Sequence, residues 1–176
     1  MTDAATLAPP AESALVPTPN ADSLPRRYAD FATFGEALDY AAQGQRGLNF
    51  HDPRGTLIRP YPFSELREDA LKVAYRLIAR GVQPGDRIAL IAETGTHFAA
   101  LFCGAIYAGA WPVPLPLPTS FGGKDSYIDQ ISVQMRSADP RMLLFPEELA
   151  EMAGAAAAQQ GCEGLAWQAF NCEPAN

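Results

Sequence analysis

The sequence predicts an α/β domain: a layered fold with a mostly parallel sheet flanked by helices. Three observations carry this. Segments with apolar residues at spacings of three and four alternate with apolar runs of four to six residues. Each helical segment closes on glycine, proline or a polar turn. The short runs, such as Arg87 to Ala92, are apolar without alternation, as strands covered on both faces are.

Along the chain, residues 1–30 are rich in Ala and Pro and show no sustained period, so they read as a disordered or loosely docked arm. Residues 31–176 form the candidate domain. Thr33-Phe34-Gly35-Glu36 fits a capping box, in which the threonine oxygen takes a free amide and the glutamate reaches back. Ala37, Leu38, Tyr40 and Ala41 continue a helix that Gly44 is expected to stop. Extended runs at 47–51 and 56–61 flank Asp52-Pro53-Arg54-Gly55, which has turn chemistry, so a hairpin with antiparallel pairing is expected there.

Residues 64–80 give the clearest helix, with Leu66, Ala70, Val73, Ala74, Leu77 and Ile78 on one face and Ser64 as the expected N-cap. Gly81 and Pro84 end it. A strand follows at 87–92, and a helix is marked by Phe98, Leu101, Phe102, Ala105 and Ile106 and ended by Gly109. The chain is extended at 111–117 and helical at 125–138, with a strand at 142–145. An Ala-rich helix from Pro146 to Gln159 and a last extended stretch at 165–170 complete the pattern. Pro112, Pro114, Pro116 and Pro118 alternate. In an extended strand they remove donors from one edge only, so this is expected to be an edge strand or one departing from the sheet.

Charge excludes some functions. With 13 basic and 20 acidic residues the net charge is −7, and no basic cluster suits nucleic acid or an anionic membrane surface. No apolar run is long enough to span a membrane, and the start lacks a basic-then-apolar leader, so a cytoplasmic setting is expected. Cys103, Cys162 and Cys172 have no metal or disulfide spacing, and Cys103 reads as a small core residue.

Two motifs in order resemble the adenylate-forming superfamily of acyl-CoA synthetases, fatty-acyl-AMP ligases and peptide-synthetase adenylation domains. One is Tyr61-Pro-Phe-Ser-Glu-Leu66 with Gly81-Val-Gln-Pro-Gly-Asp-Arg-Ile-Ala-Leu90 behind it. The other is Tyr107-Ala-Gly-Ala-Trp-Pro-Val-Pro-Leu115. The segment from Pro114 to Gln130 is most similar to fatty-acyl-AMP ligases, and the whole resemblance spans about residues 33 to 160.

The resemblance implies the N-terminal portion of an enzyme that joins a fatty acid to ATP, with Mg²⁺, as an acyl-adenylate. It also implies transfer of the acyl group to an acyl carrier protein. It further implies that a Gly/Ser/Thr-rich phosphate loop, a ribose-binding aspartate and a catalytic lysine lie outside this chain, which alone is then inactive. A fragment of a fatty-acyl-CoA synthetase, and a non-catalytic interaction module on the same scaffold, are the alternatives. A partial domain is also expected to expose an apolar face and to self-associate.

The residues themselves assign no catalytic or metal-binding role and leave cofactor-binding residues unassigned. Gly122-Gly123-Lys124 fails as a phosphate loop, because Pro118 stands where glycine is needed and Asp125 where Ser or Thr is needed. Lys124 at a helix start could still touch an anion. His51 and His97 lack partners at ligand spacing. Glu147, Glu148 and Glu151 read as an acidic helix start. Phe31, Phe34, Tyr61, Phe63, Trp111 and Phe121 could contribute walls of an acyl tunnel, but simple core packing is the preferred reading for any one of them and none is assigned.

Overall fold

A computed structural model describes residues 24, 25, 27, 28, 30–118 and 123–171. The expected arm therefore lies almost wholly outside the described residues, as do Phe121, Gly122 and Cys172. Where residues 24–30 are described they lie against the first helix: Tyr40 donates its hydroxyl to Pro25 O at 2.6 Å, and the Arg27 guanidinium sits 4.0 Å above the Phe31 ring.

The elements run α1 (Phe34–Ala41), β1 (Gly47–His51), β2 (Leu57–Pro62), α2 (Phe63–Ala79), β3 (Arg87–Ile91), α3 (Thr96–Tyr107), β4 (Trp111–Leu115), α4 (Gly123–Ala138), β5 (Met142–Phe145), a 3₁₀ turn (Glu147–Leu149), α5 (Ala150–Gln160), β6 (Glu163–Ala166) and α6 (Trp167–Asn171). The expected α/β layering is present. A four-stranded parallel sheet in the order β4-β3-β5-β6 carries helices on both faces. The hairpin β1–β2 is antiparallel as expected, but it forms a separate two-stranded sheet.

Side-chain alternation divides the core. Ile88, Leu90, Met142 and Leu144 point to the face covered by α1, α2, α3 and α6. Ala89, Ile91, Leu143 and Phe145 point to the face covered by α4 and α5. The step from β3 to β4 and the step from β5 to β6 run in opposite directions on opposite faces, so both crossovers share one hand.

Local chemistry explains the element ends, with four corrections. Thr33 caps α1 as expected: Glu36 N donates to its Oγ1 at 3.2 Å, and the Glu36 carboxylate accepts from Ala32 N at 3.0 Å. Gly44 does not stop α1, which ends at Ala41 with Ala42 as its C-cap. Ser64 is not the N-cap of α2. Pro62 holds that position, and the Phe63 amide is already taken by Arg46 O at 2.9 Å, which ties the hairpin to the helix start. The Ala-rich helix does not begin at Pro146, because the acidic residues after it form the 3₁₀ turn first. The stretch expected to be extended at 165–170 is β6 and then α6, where burial of Trp167 and Phe170 on one side favours a helical turn. Gly81 and Gly109 end α2 and α3 at φ 78° and 75°, as expected.

The proline-bearing strand is at an edge, as the alternation requires. Trp111 N donates to Asp86 O, and Leu115 O accepts from Ala92 N. Odd-numbered residues of β4 thus face β3, and Pro112 and Pro114 face outward without donors.

Candidate functional site

The carboxyl ends of β3 and β5 are where the sheet's connections part. α3 departs over one face and α5 over the other, which leaves a crevice of the kind where open α/β sheets bind ligands. Two hollows flank the start of α3 at this end.

The first is an apolar groove of about 390 Å³. Phe34 and Leu38 of α1, Leu48 and Phe50 of β1, Phe63 and Leu66 of α2, and Phe98, Phe102 and Cys103 of α3 line it, with Ala92, Thr94 and Gly95 at its sheet end. The Phe98 and Phe102 rings stand 6.0 Å apart, one helical turn from each other. Such a surface holds hydrocarbon and little else.

The second is a smaller polar pocket of about 240 Å³ between α2, α3 and α6. The buried Tyr61 donates its hydroxyl to Asp69 Oδ2 at 2.9 Å, and Lys72 donates to Asp69 Oδ1 at 3.0 Å. Burial, and then the bond to Asp69, push the Tyr61 phenol well above its ordinary range. His97 Nδ1 meets Asn171 Nδ2 at 3.2 Å, and the ring packs 5.9 Å from Trp167. The Trp167 indole nitrogen is buried and has no hydrogen-bond partner among the described residues.

A polar clamp fixes the helices that wall the groove. Tyr107 donates to Asp39 Oδ1 at 2.7 Å and Arg67 donates to the same oxygen at 2.6 Å, joining α1, α2 and α3. Tyr107 and then Arg67 hold the Asp39 carboxyl below its ordinary value, while burial and then Asp39 raise the Tyr107 phenol.

Of the candidate wall residues, Phe34 and Phe63 meet in the groove and Tyr61 lines the polar pocket. Phe31 packs instead on Arg27 and Tyr40. Trp111 stands 67% exposed at the far, amino end of the sheet. Sequence reasoning missed Phe50 as a wall, and it read Phe98 and Phe102 only as marks of a helix; their spacing of four was the available signal. Lys124 pairs with Glu151 at 2.5 Å, so its ammonium meets a carboxylate of its own chain. His51 is exposed at the end of β1. Glu147 and Glu148 form the 3₁₀ turn. Cys103 is buried, and burial pushes its thiol up to about 11.

These side chains line the two hollows and tie the surrounding helices together. Among the described residues no three His, Cys, Asp or Glu side chains converge to hold a metal ion. No glycine-rich phosphate cradle is present in the sequence either. No helix among the described residues is long and apolar enough to cross a membrane.

Comparison with known proteins agrees with this architecture. A family described as AMP-binding enzyme matches residues 56–169. A protein of Caulobacter vibrioides described as an acyl-CoA synthetase is 42% identical over 147 residues, which is 84% of this chain and 26% of that protein. A long-chain-fatty-acid–AMP ligase of Mycobacterium marinum is 34% identical over 93 residues, 53% of this chain and 15% of the ligase. A solved structure from work on fatty acyl-adenylate ligases of E. coli and L. pneumophila superimposes with a TM-score of 0.81 at 35% identity, covering 85% of this chain and 27% of that one. The chain spans about a quarter of the length of the first and third of these.

Proposed function

The chain belongs to the AMP-binding enzyme family, and from that we propose that it is the N-terminal portion of a cytoplasmic fatty-acyl-AMP ligase. The complete enzyme converts a fatty acid and ATP to acyl-adenylate and pyrophosphate, then passes the acyl group to an acyl carrier protein. The observation that carries this reading is the apolar groove at the carboxyl end of β3, in a domain that superimposes on a fatty acyl-adenylate ligase.

Enzymes of this family use ATP and Mg²⁺. The residues described here do not fit that group: they offer neither a convergent ligand set nor a phosphate loop. This chain's own contribution is positional. The Asp39–Tyr107–Arg67 clamp fixes the helices around the groove, and the groove keeps water from hydrocarbon placed in it. Residues 1–176 alone are inactive on this reading, and their open apolar groove promotes self-association. A monodisperse monomer by light scattering at high concentration counts against the self-association.

The 42% identity to a protein described as an acyl-CoA synthetase favours a second reading, in which coenzyme A accepts the acyl group. One experiment separates the two. Pyrophosphate release is measured with ATP, Mg²⁺ and a series of fatty acids for residues 1–176 and for the longest product of the gene, and the acyl product is identified with carrier protein or coenzyme A present. Activity in the longer product only, with acyl-carrier product, supports the ligase. An acyl-CoA product supports the second reading. Turnover by residues 1–176 alone rejects the proposed division of labour.

A further inference from the structure

The polar pocket between α2, α3 and α6 has no part in the acyl reading, yet its wall is rich in donors. Asp69 is the only carboxylate among the described residues that line it, and both its oxygens are engaged, by the Tyr61 hydroxyl and the Lys72 ammonium. An ammonium has three N–H donors, so Lys72 keeps others after the bond to Asp69. Arg76, one helical turn along α2, brings a guanidinium to the same wall. Two cations against one carboxylate leave the lining positive, in a chain whose net charge is −7. The first turn of α3 forms the opposite wall with the Thr96 hydroxyl and the His97 ring. Gly95 precedes that turn and has no side chain to cap it, so its amides take no side-chain acceptor. Asn171 Nδ2 donates to His97 Nδ1, which leaves the ring proton on Nε2 as a further donor. Beside His97, the Trp167 indole is 3% exposed, and its N–H has no partner among the described residues.

We propose that this pocket binds the phosphate group of a small molecule, held between Lys72 and Arg76 of α2 and the first turn of α3. A phosphate offers three strong acceptor oxygens, which suits donors that arrive from separate helices. Cations and an uncapped helix start are what such a group is held by. Size sets the rest of the ligand. Drug-sized molecules need pockets of roughly 300–1,000 Å³. At about 240 Å³ this pocket suits a phosphate with a few carbons, laid against Val73 and Ala100, and not a nucleoside triphosphate. The site goes beyond the acyl reading, since it needs neither a fatty acid nor ATP and lies across the start of α3 from the apolar groove.

The test is a titration with inorganic phosphate at constant ionic strength, balanced with sodium chloride. The chain has two tryptophans, and Trp111 is exposed at the far end of the sheet, so Trp111→Phe leaves Trp167 as the reporter beside the pocket. Its emission is read in residues 1–176, and calorimetry follows the same titration in the longest product of the gene. Saturable binding is expected in both. Lys72→Gln, at a side chain 53% exposed, should keep the fold and weaken binding about tenfold or more. Gly95→Asp is the second variant. Its added Cβ meets open space, and its carboxylate takes the α3 amides as an N-cap, so Tm should rise while phosphate binding weakens. A purely structural role for these residues does not give a stabler protein that binds less. Absence of saturation, acetate binding as tightly as phosphate, or an unchanged Kd in either variant overturns the proposal. So does binding by residues 1–176 that is missing from the longer product, because another part of the protein then fills the pocket. Displacement of phosphate by ATP in the longer product merges the pocket with the ATP site and overturns it as well.

Discussion

The two faces of the sheet are built differently. The face under α1, α2 and α3 is packed from large side chains such as Tyr61, Leu66, Leu77, Leu101 and Trp167, and it carries both hollows beside the start of α3. The face under α4 and α5 brings α5 close through Ala153, Ala156 and Ala157, with Tyr127, Ile131 and Met135 filling the α4 side. Small side chains let helix and sheet backbones approach. The two hollows beside α3 lie on the first face, and a third, of about 330 Å³, lies on the second between β4 and α4.

Truncation in the packed part of the first face gives the largest effect. Leu101→Ala, at a site 1% exposed, is expected to cost about 2–5 kcal/mol in chemical denaturation, because α2 and α3 cannot collapse into the space. Phe98→Ala in the groove wall should cost clearly less, since its ring is only partly buried. Equal costs would mean that the groove is closed in solution.

Close approach is tested next. A Cβ at Gly104 would lie 2.8 Å from Ala70 O and press still harder on Val73, so Gly104→Ala should lose about 1–3 kcal/mol. On the second face Gly154 has open space around its Cβ position, so Gly154→Ala in α5 should gain about 0.5–1 kcal/mol. A gain at both glycines would remove the steric contrast between them.

The clamp gives a smaller, pH-dependent effect. Asp39 is partly exposed, so screening limits its worth, and Asp39→Asn should lose no more than about 1 kcal/mol at neutral pH. The folded-state carboxyl lies below its ordinary 3.8, so its contribution is full above that value and fades as pH falls through the lower folded value. Urea titrations of the wild type and the variant should converge in that acidic window. A difference that persists when both are neutral would assign the loss to geometry instead of charge.

The smallest effect is chemical. With its thiol raised to about 11 by burial, Cys103 should stay unmodified by a thiol reagent at pH 8 and react on unfolding, as peptide mass spectrometry reads directly. Rapid native labelling at Cys103 would show that the floor of the groove opens.

The sequence by itself determined most of the element types before residue 146, the layered parallel sheet, the Thr33 cap, the glycine stops at 81 and 109, and the edge position of the proline strand. Each depends on spacing or on the φ and donor properties of single residues, which act locally. It could not show that Asp139 ends α4 at φ 47°, where Arg87 from β3 donates to its carbonyl and carboxylate, because that support comes from a residue 52 positions away. For the same reason Pro62 displaced Ser64 as the cap of α2 once Arg46 had taken the Phe63 amide. The groove was only half legible. Phe34 and Phe63 could be named, but Phe50, Phe98 and Phe102 join them because a hairpin and three helices converge there. The register of β6 against β5 was also decided by tertiary packing, since a strand's pairing partners are fixed by what lies beside it and not by its own residues.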